Sequence, residues 1–400
     1  MREIHIGGLI KRVFIRIRDD YQFISILVLG IVAAAMIQYV LRIQQSHDME
    51  KYFIMWYMNI QNRGFSVLGS GISNYPPLYL YFLYIISILA PKLPIVIAVK
   101  IPSLIALWGI AFFNYKIISL IHENRWVRLL AFLIPLFTPT FLLNSAYWGQ
   151  ADSMYGVFVL GAVYYLMVKK ALPAFIFLGL AFSIKSQTVF IFPLVALMIL
   201  KKEVPIKHVL IIPLVYIVSI IPVLIIGRPL SDLLTLYFHQ VTGMPGLVYN
   251  APTIFAFLPD TDQGMFLSRA GILVGIFSVV VLMIIGLIKT GNHPLSGRDV
   301  IQFGLLSSTI VVYCLPYIHE RYFFIAEMLA VAYAFCFPKH FYVSFSLILI
   351  GLFTYIKYLF GGFLVLTLPQ LALCMLIVIC AMFYYYISSA HPKTEEKMIG

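Results

Sequence analysis

Long apolar runs recur along almost the whole of this 400-residue chain, roughly at 23–43, 95–119, 129–147, 153–168, 171–184, 188–200, 208–226, 266–288, 300–318, 321–337, 341–356 and 363–388. About 20 apolar residues carry a helix across the ~30 Å hydrocarbon core of a bilayer. In lipid the backbone must satisfy its own hydrogen bonds, which leaves helices or closed barrels, and runs of this length favour helices. With 62% hydrophobic and 11% charged residues the chain has too little polar surface for a water-soluble globule. The expectation is an all-α polytopic membrane protein of about twelve transmembrane helices. The run Leu78–Ala90 is shorter and is bounded by Pro76-Pro77 and by Pro91-Lys92-Leu93-Pro94. It reads as an interfacial or half-inserted helix within a long first outer loop, 44–94.

The basic residues test this threading. With the N-terminus inside, 18 of the 28 Lys and Arg fall on cytoplasmic segments, as the positive-inside rule expects. Counting Leu78–Ala90 as a crossing inverts everything after it and places Arg125, Arg128, Lys169 and Lys170 outside. Residues 1–22 read as a basic amphipathic segment on the cytoplasmic surface rather than a cleavable signal. The remainder divides into a catalytic transmembrane module, 23–226, a C-terminal module, 227–390, with its own outer loop 227–265, and a cytoplasmic tail, 391–400. On this threading loop 44–94, loop 227–265 and the turns at 144–152, 185–187 and 317–322 open onto the same outer face.

The net charge of +12 does not indicate nucleic acid, because the basic residues are scattered among short loops. Cys314, Cys336, Cys374 and Cys380 lie in or beside apolar runs without ligand-type spacing and are expected to pack as small hydrophobes. No HExxH, GxxxxGK[ST] or GxSxG motif is present, so ATP-driven and zinc-hydrolase chemistry lack support.

What remains is a set of polar islands at span ends on that face. Asp48, in Ser46-His47-Asp48-Met49-Glu50, stands about one turn past the first span. It is either a cap or loop charge, or a general base, with Glu50 the alternative base. Asn74-Tyr75-Pro76-Pro77 is a stiff turn returning the chain to the interface. Trp148-Gly149-Gln150-Ala151-Asp152-Ser153 joins an interfacial aromatic, a glycine, an amide and a carboxylate, where Asp152 or Ser153 can also cap the next helix. Lys185, near Gln187, either snorkels or meets a phosphate as a point charge. In His319-Glu320-Arg321-Tyr322, Arg321 offers a bidentate fork, and Glu327 is a possible internal partner. Arg228, Asp232, His239, Asn250, Asp260 and Asp262 populate the second outer loop with nothing to single one out.

The ordered set Ser46-x-Asp48 with Tyr52 and Trp56, Asn74-Tyr75-Pro76-Pro77-Leu78, Lys100-Ile101-Pro102, Trp148-Gly149-Gln150-x-Asp152-Ser153, Lys185-x-Gln187 with Pro193, and His319-Glu320-Arg321-Tyr322-Phe323-Phe324 resembles a known group. These are the GT-C fold glycosyltransferases that use polyprenyl-phosphate sugars, in particular bacterial relatives of the GPI-anchor mannosyltransferases. The resemblance implies a catalytic carboxylate at Asp48 and an auxiliary acid at Asp152. It also implies donor-phosphate contacts from Lys185, Arg321 and His319. Tyr52, Asn74, Tyr75, Trp148, Gln150, Gln187 and Glu320 are then expected to bind substrate. The implied partners are a polyprenyl-phosphate-linked sugar, a glycan or glycolipid acceptor and membrane lipids, with no cofactor required; a divalent metal between Asp48 and Asp152 is not favoured. The implied location is a bacterial plasma membrane with the active site outside. The competing classes are a polysaccharide polymerase or ligase and a transporter or flippase of lipid-linked sugars. Against the latter, the suspect residues gather at one face rather than at the midplane.

Overall fold

The computed structural model describes residues 6–242, 246–258, 264–362 and 366–389. The tail 391–400 and the loop acids Asp260 and Asp262 lie outside the described residues. Apart from a two-residue parallel pairing of Val248 with Ile318 and Tyr249 with His319, the described regular structure is helical.

The chain is a helical, multi-pass membrane protein. Among the described residues six helices are long and apolar enough to cross a bilayer: Arg18–Leu41, Ile95–Ser119, Ile206–Ile225, Phe266–Thr290, Pro338–Phe360 and Leu368–Ser388. A seventh crossing results if Arg125–Phe137 and Pro139–Trp148, which meet at 49°, are taken together. The bend falls where Thr138 is extended and Pro139 begins the next helix without an N–H to donate.

Six or seven is fewer than the expected twelve, because apolar runs do not all become membrane-length helices. Ala171–Phe182 has 12 residues and Asp152–Met167 has 16. At ~1.5 Å per residue these are roughly 18 and 24 Å long, short of the ~30 Å core. Gly297–Cys314 has 18 residues but carries Arg298, Asp299, Gln302 and a Ser307-Ser308-Thr309 run. Its hydroxyls turn back on their own helix, with Thr309 Oγ1 donating to the Leu305 carbonyl at 2.7 Å, and most of its residues are buried by neighbours.

The long helices at the periphery keep apolar side chains facing outward, among them Ile24, Leu29, Ile217, Val218, Phe277 and Ile288. In water such a surface is an aggregation liability; in lipid it is solvated. The short helix expected near Leu78–Ala90 is present as Pro77–Leu89, with Pro77 at its first position. The described part of the expected N-terminal segment, from Ile6, and the first span form one continuous helix, Ile6–Leu41. All four cysteines are free thiols.

One buried cation joins the segments that carry the polar islands. Lys100, at the start of the helix Ile101–Ser119, is fully buried. Its Nζ donates to the carbonyls of Gln44 at 2.6 Å, Ala146 at 2.8 Å and Leu41 at 3.3 Å. Leu41 ends the first long helix, Gln44 lies just past it, and Ala146 lies in the turn before Gln150, so the ammonium fills its three donor positions with carbonyls from two chain segments. Replacing Lys100 with Met is expected to lower stability by at least about 2 kcal/mol, since it leaves buried acceptors without a donor. The measurement is the midpoint of heat-induced loss of the monodisperse species in detergent; an unchanged midpoint would show that these carbonyls find other donors.

Candidate active site

The site begins at two π-helical turns, Met49–Phe53 and Leu143–Trp148, a geometry that often marks functional positions in helical proteins. At the first, Ser46 Oγ accepts from the Met49 amide at 3.3 Å, so the local capping bond is made by Ser46. Asp48 makes no side-chain cap bond, and its carboxylate faces other groups. Oδ2 accepts from Gln150 Nε2 at 2.9 Å and Oδ1 accepts from the Tyr358 hydroxyl at 2.8 Å. Gln150 is itself fixed on three sides. Its Oε1 accepts from the Tyr75 hydroxyl at 3.2 Å, its carbonyl accepts from Ser103 Oγ at 2.6 Å and its amide donates to the Asn144 carbonyl at 2.9 Å.

Gly149 makes that turn possible. Its φ of +72° is a left-handed conformation, and a Cβ there would stand 2.9 Å from both Lys100 Cγ and Met49 Cε. The glycine therefore lets the Gln150 segment pack directly on the Lys100 stem and on the turn that carries Asp48.

Asp152 is built differently. It is the first residue of the helix Asp152–Met167, is fully buried, and makes no capping bond; Ala151 holds the cap position. Its Oδ2 accepts from Asn144 Nδ2 at 2.9 Å and its Oδ1 pairs with Lys185 Nζ. Arg321 Nε lies 3.9 Å from Oδ2, while Arg321 Nη1 donates to Glu320 Oε1 at 3.0 Å. The guanidinium also sits 5.1 Å above the Trp148 ring, which stacks on Tyr358 at 4.7 Å. Lys185 does not snorkel: it is buried, and burial lowers its pKa to about 8 although Asp152 favours the charged form. Glu327 makes no salt bridge among the described residues; Glu320 and Asp152 take that role.

A cavity of about 450 Å³ opens beside Asp48. Its walls include Asp48, Tyr52, Trp56, Asn74, Tyr75, Gln150, Asn250, His319, Glu320 and Arg321, all named in the sequence reading, and also Tyr249 and Tyr358. Asp152, Lys185 and Trp148 do not line it; they stand behind Arg321, Gln150 and Tyr358. Gln187 lines a separate cavity of about 240 Å³ with Phe190 and Tyr322. Glu50 is exposed and lines neither. His319 stacks on Tyr249, its ring centroid 4.6 Å away, where the strand pairing sets the two side by side. Burial, with Arg321 and Lys185 nearby, pushes its pKa down to about 2, so the imidazole is neutral.

The arrangement thus sets an accessible, two-donor-held carboxylate and a guanidinium paired with Glu320 on the walls of one cavity, with the buried Asp152–Lys185 pair behind them. Chemically it can accept a proton at Asp48 and hold an anion at Arg321. Among the described residues no group of three or more His, Cys, Asp or Glu side chains is placed to hold a metal ion. The sequence reading missed Tyr358 and Asn144, and named Asn250 only among the second-loop residues that nothing singled out. Tyr358 is one of 26 tyrosines and lies in an apolar span, with no local signal to distinguish it. Asn144, placed eight residues before Asp152 across a glycine turn, was the more visible of the two.

No protein-family model and no curated protein sequence matches this chain.

Burial raises the Glu320 carboxyl to about 7, against the pull of Arg321 beside it. The folded chain then holds this proton more tightly than the unfolded chain, whose carboxyl titrates near 4.5. The associated stability is present below about pH 4.5 and is lost as the pH rises through about 7. Glu320→Gln is expected to flatten this part of the stability profile, read as thermal midpoints between pH 4.5 and 8; an unaltered profile would assign the pH dependence to other groups.

Proposed function

We propose that this chain is an integral membrane glycosyltransferase of the GT-C type. It moves a hexose, mannose or glucose, from a polyprenyl-phosphate donor to a hydroxyl of a lipid-linked glycan or cell-surface polysaccharide, on the outer face of a bacterial plasma membrane. The reading takes the buried short helices Asp152–Met167, Ala171–Phe182 and Ser186–Leu200 as part of a GT-C-like bundle alongside the long spans.

The observation that carries it is the presence of Asp48 and Arg321 on one cavity wall, with the rings of Tyr52, Trp56, Tyr75 and Tyr249 beside them. Flat aromatic faces suit the C–H face of a sugar, and a cavity with a few convergent polar groups suits a small polar substrate. A sugar esterified to phosphate has a leaving group that needs no proton. The demands on the protein are to remove the acceptor's proton and to stabilise the phosphate's charge. Asp48 takes the proton as the acceptor oxygen attacks the anomeric carbon. The C–O bond to phosphate breaks on the opposite side, the configuration inverts, and Arg321 meets the departing phosphate. Gln150 and Tyr358 aim Asp48. Asp152 acts through its neighbours, holding Lys185 and helping to place Arg321.

The test is sugar transfer by the purified protein from a panel of synthetic polyprenyl-phosphate hexoses to a lipid-linked glycan mixture. Asp48→Asn is expected to lower the rate by roughly 10²- to 10⁴-fold while the protein stays monodisperse. Wild-type rates from Asp48→Asn would remove Asp48 as the base. Absence of transfer from every donor by the wild type would turn attention to the polymerase and transporter readings.

A further inference from the structure

Beyond Tyr52 and Asn74, which line both spaces, lies a second cavity of about 510 Å³, walled also by Arg228, Asp232, His239 and Gln240. Arg228 is its unusual member. The residue is only 5% exposed, yet its Nε and Nη1 are buried without a hydrogen-bond partner, and it forms no salt bridge among the described residues. The other deeply buried cations are matched: Lys100 by three carbonyls and Lys185 by Asp152.

The surroundings do not supply the missing acceptor. Tyr81 and Tyr216 lie near the guanidinium without accepting from Nε or Nη1, while their hydroxyls donate to the carbonyls of Ser219 at 3.0 Å and Leu233 at 2.6 Å. Asp232, one turn along the helix Leu230–Thr242, is exposed and outside ion-pair distance. The backbone holds Arg228 in place: its amide donates to the Val223 carbonyl at 3.0 Å, just after Gly227 at φ +94°. Gly71 packs against it, for a Cβ at that position would stand 3.8 Å from Nε and Nη2. An uncompensated buried charge is strongly destabilising, and an arginine keeps its charge at any physiological pH.

We propose that Arg228 is the anchor of a second binding subsite, one that takes a phosphate group into this cavity. The planar fork matches two phosphate oxygens, and Arg228, with Nε and Nη1 buried and unpaired, is part of the wall of the space the anion would enter. Gln240 and Asn74 close one side, the Gln240 amide donating to the Asn74 carbonyl. Because Tyr52 and Asn74 wall both cavities, a phosphate held at Arg228 leaves its substituent within reach of the space beside Asp48. The subsite rests on Arg228 alone and stands whether or not the chain transfers sugar.

Binding is measured on the purified chain in phosphatidylcholine nanodiscs, with farnesyl monophosphate, farnesol and inorganic phosphate as probes and with no transfer assay involved. Farnesyl monophosphate is expected to bind, farnesol much more weakly, and Arg228→Gln to weaken the phosphate probe by roughly 10- to 100-fold. Arg228→Lys keeps the charge without the fork and should fall between the two. Asp232→Asn leaves Arg228 intact and should bind the probe as tightly as the wild type or tighter, which covers the case of an Arg228→Gln that does not fold. Displacement of the probe by millimolar inorganic phosphate would identify free phosphate as a ligand; resistance to it would identify a lipid-borne phosphate. Equal affinity in Arg228→Gln, weaker affinity in Asp232→Asn, equal binding of farnesol, or no binding by the wild type would each overturn the assignment.

Discussion

The polar architecture depends on one ammonium group. An ammonium strongly prefers water, and Lys100 is fully buried; its three donors are taken by carbonyls at and just past the end of the first long helix and in the turn before Gln150. Those segments are distant in sequence and would otherwise carry unpaired acceptors in an apolar setting. Meeting that electrostatic demand brings the strand of chain bearing Asp48 against the strand bearing Gln150. The bond between those two side chains follows from the contact.

The remaining charges are arranged in depth. Asp48 and Arg321 reach the cavity, Glu320 is part of its wall with only 1% of its side chain exposed, and Asp152 with Lys185 lies behind that wall. Asp152 is met by Lys185 and the Asn144 amide and Glu320 by Arg321, whereas the buried Glu327 carboxyl has neither among the described residues. The electrostatics of the accessible pair are therefore set by residues that no solute touches. Asp152 illustrates this: its acidity was legible in the sequence, but its place is behind the wall, where it orders two cations.

How much could be read beforehand follows the same physics. Apolar runs and the scarcity of charge were sufficient for an all-helical membrane protein, and paired prolines bounded the short helix Pro77–Leu89. Run length did not distinguish a crossing from a buried short helix, because Ala171–Phe182 and Phe324–Cys336 are apolar on account of protein neighbours as much as lipid. Islands of polarity at span ends located Asp48, Gln150, Glu320 and Arg321, since a charge in such a chain is costly and has to be placed with purpose. Tyr358 and the pairing of Lys100 with carbonyls were not legible: a tyrosine in an apolar span has many possible reasons, and backbone acceptors leave no mark in the amino-acid string. Gln187 was grouped with Lys185 by adjacency, yet the two side chains face different spaces.

The bond from Tyr358 to Asp48 ties residues 310 positions apart. During synthesis a chain emerges from its N-terminus, so the first long helix and the turn carrying Asp48 are in place long before the helix Phe341–Phe360 exists. Until that late helix arrives and stacks its tyrosine on Trp148, the carboxylate has only Gln150 to hold it. The geometry around Asp48 is therefore completed only after 310 further residues have been made, and a molecule that stops short of Tyr358 holds this carboxylate in an unfinished setting.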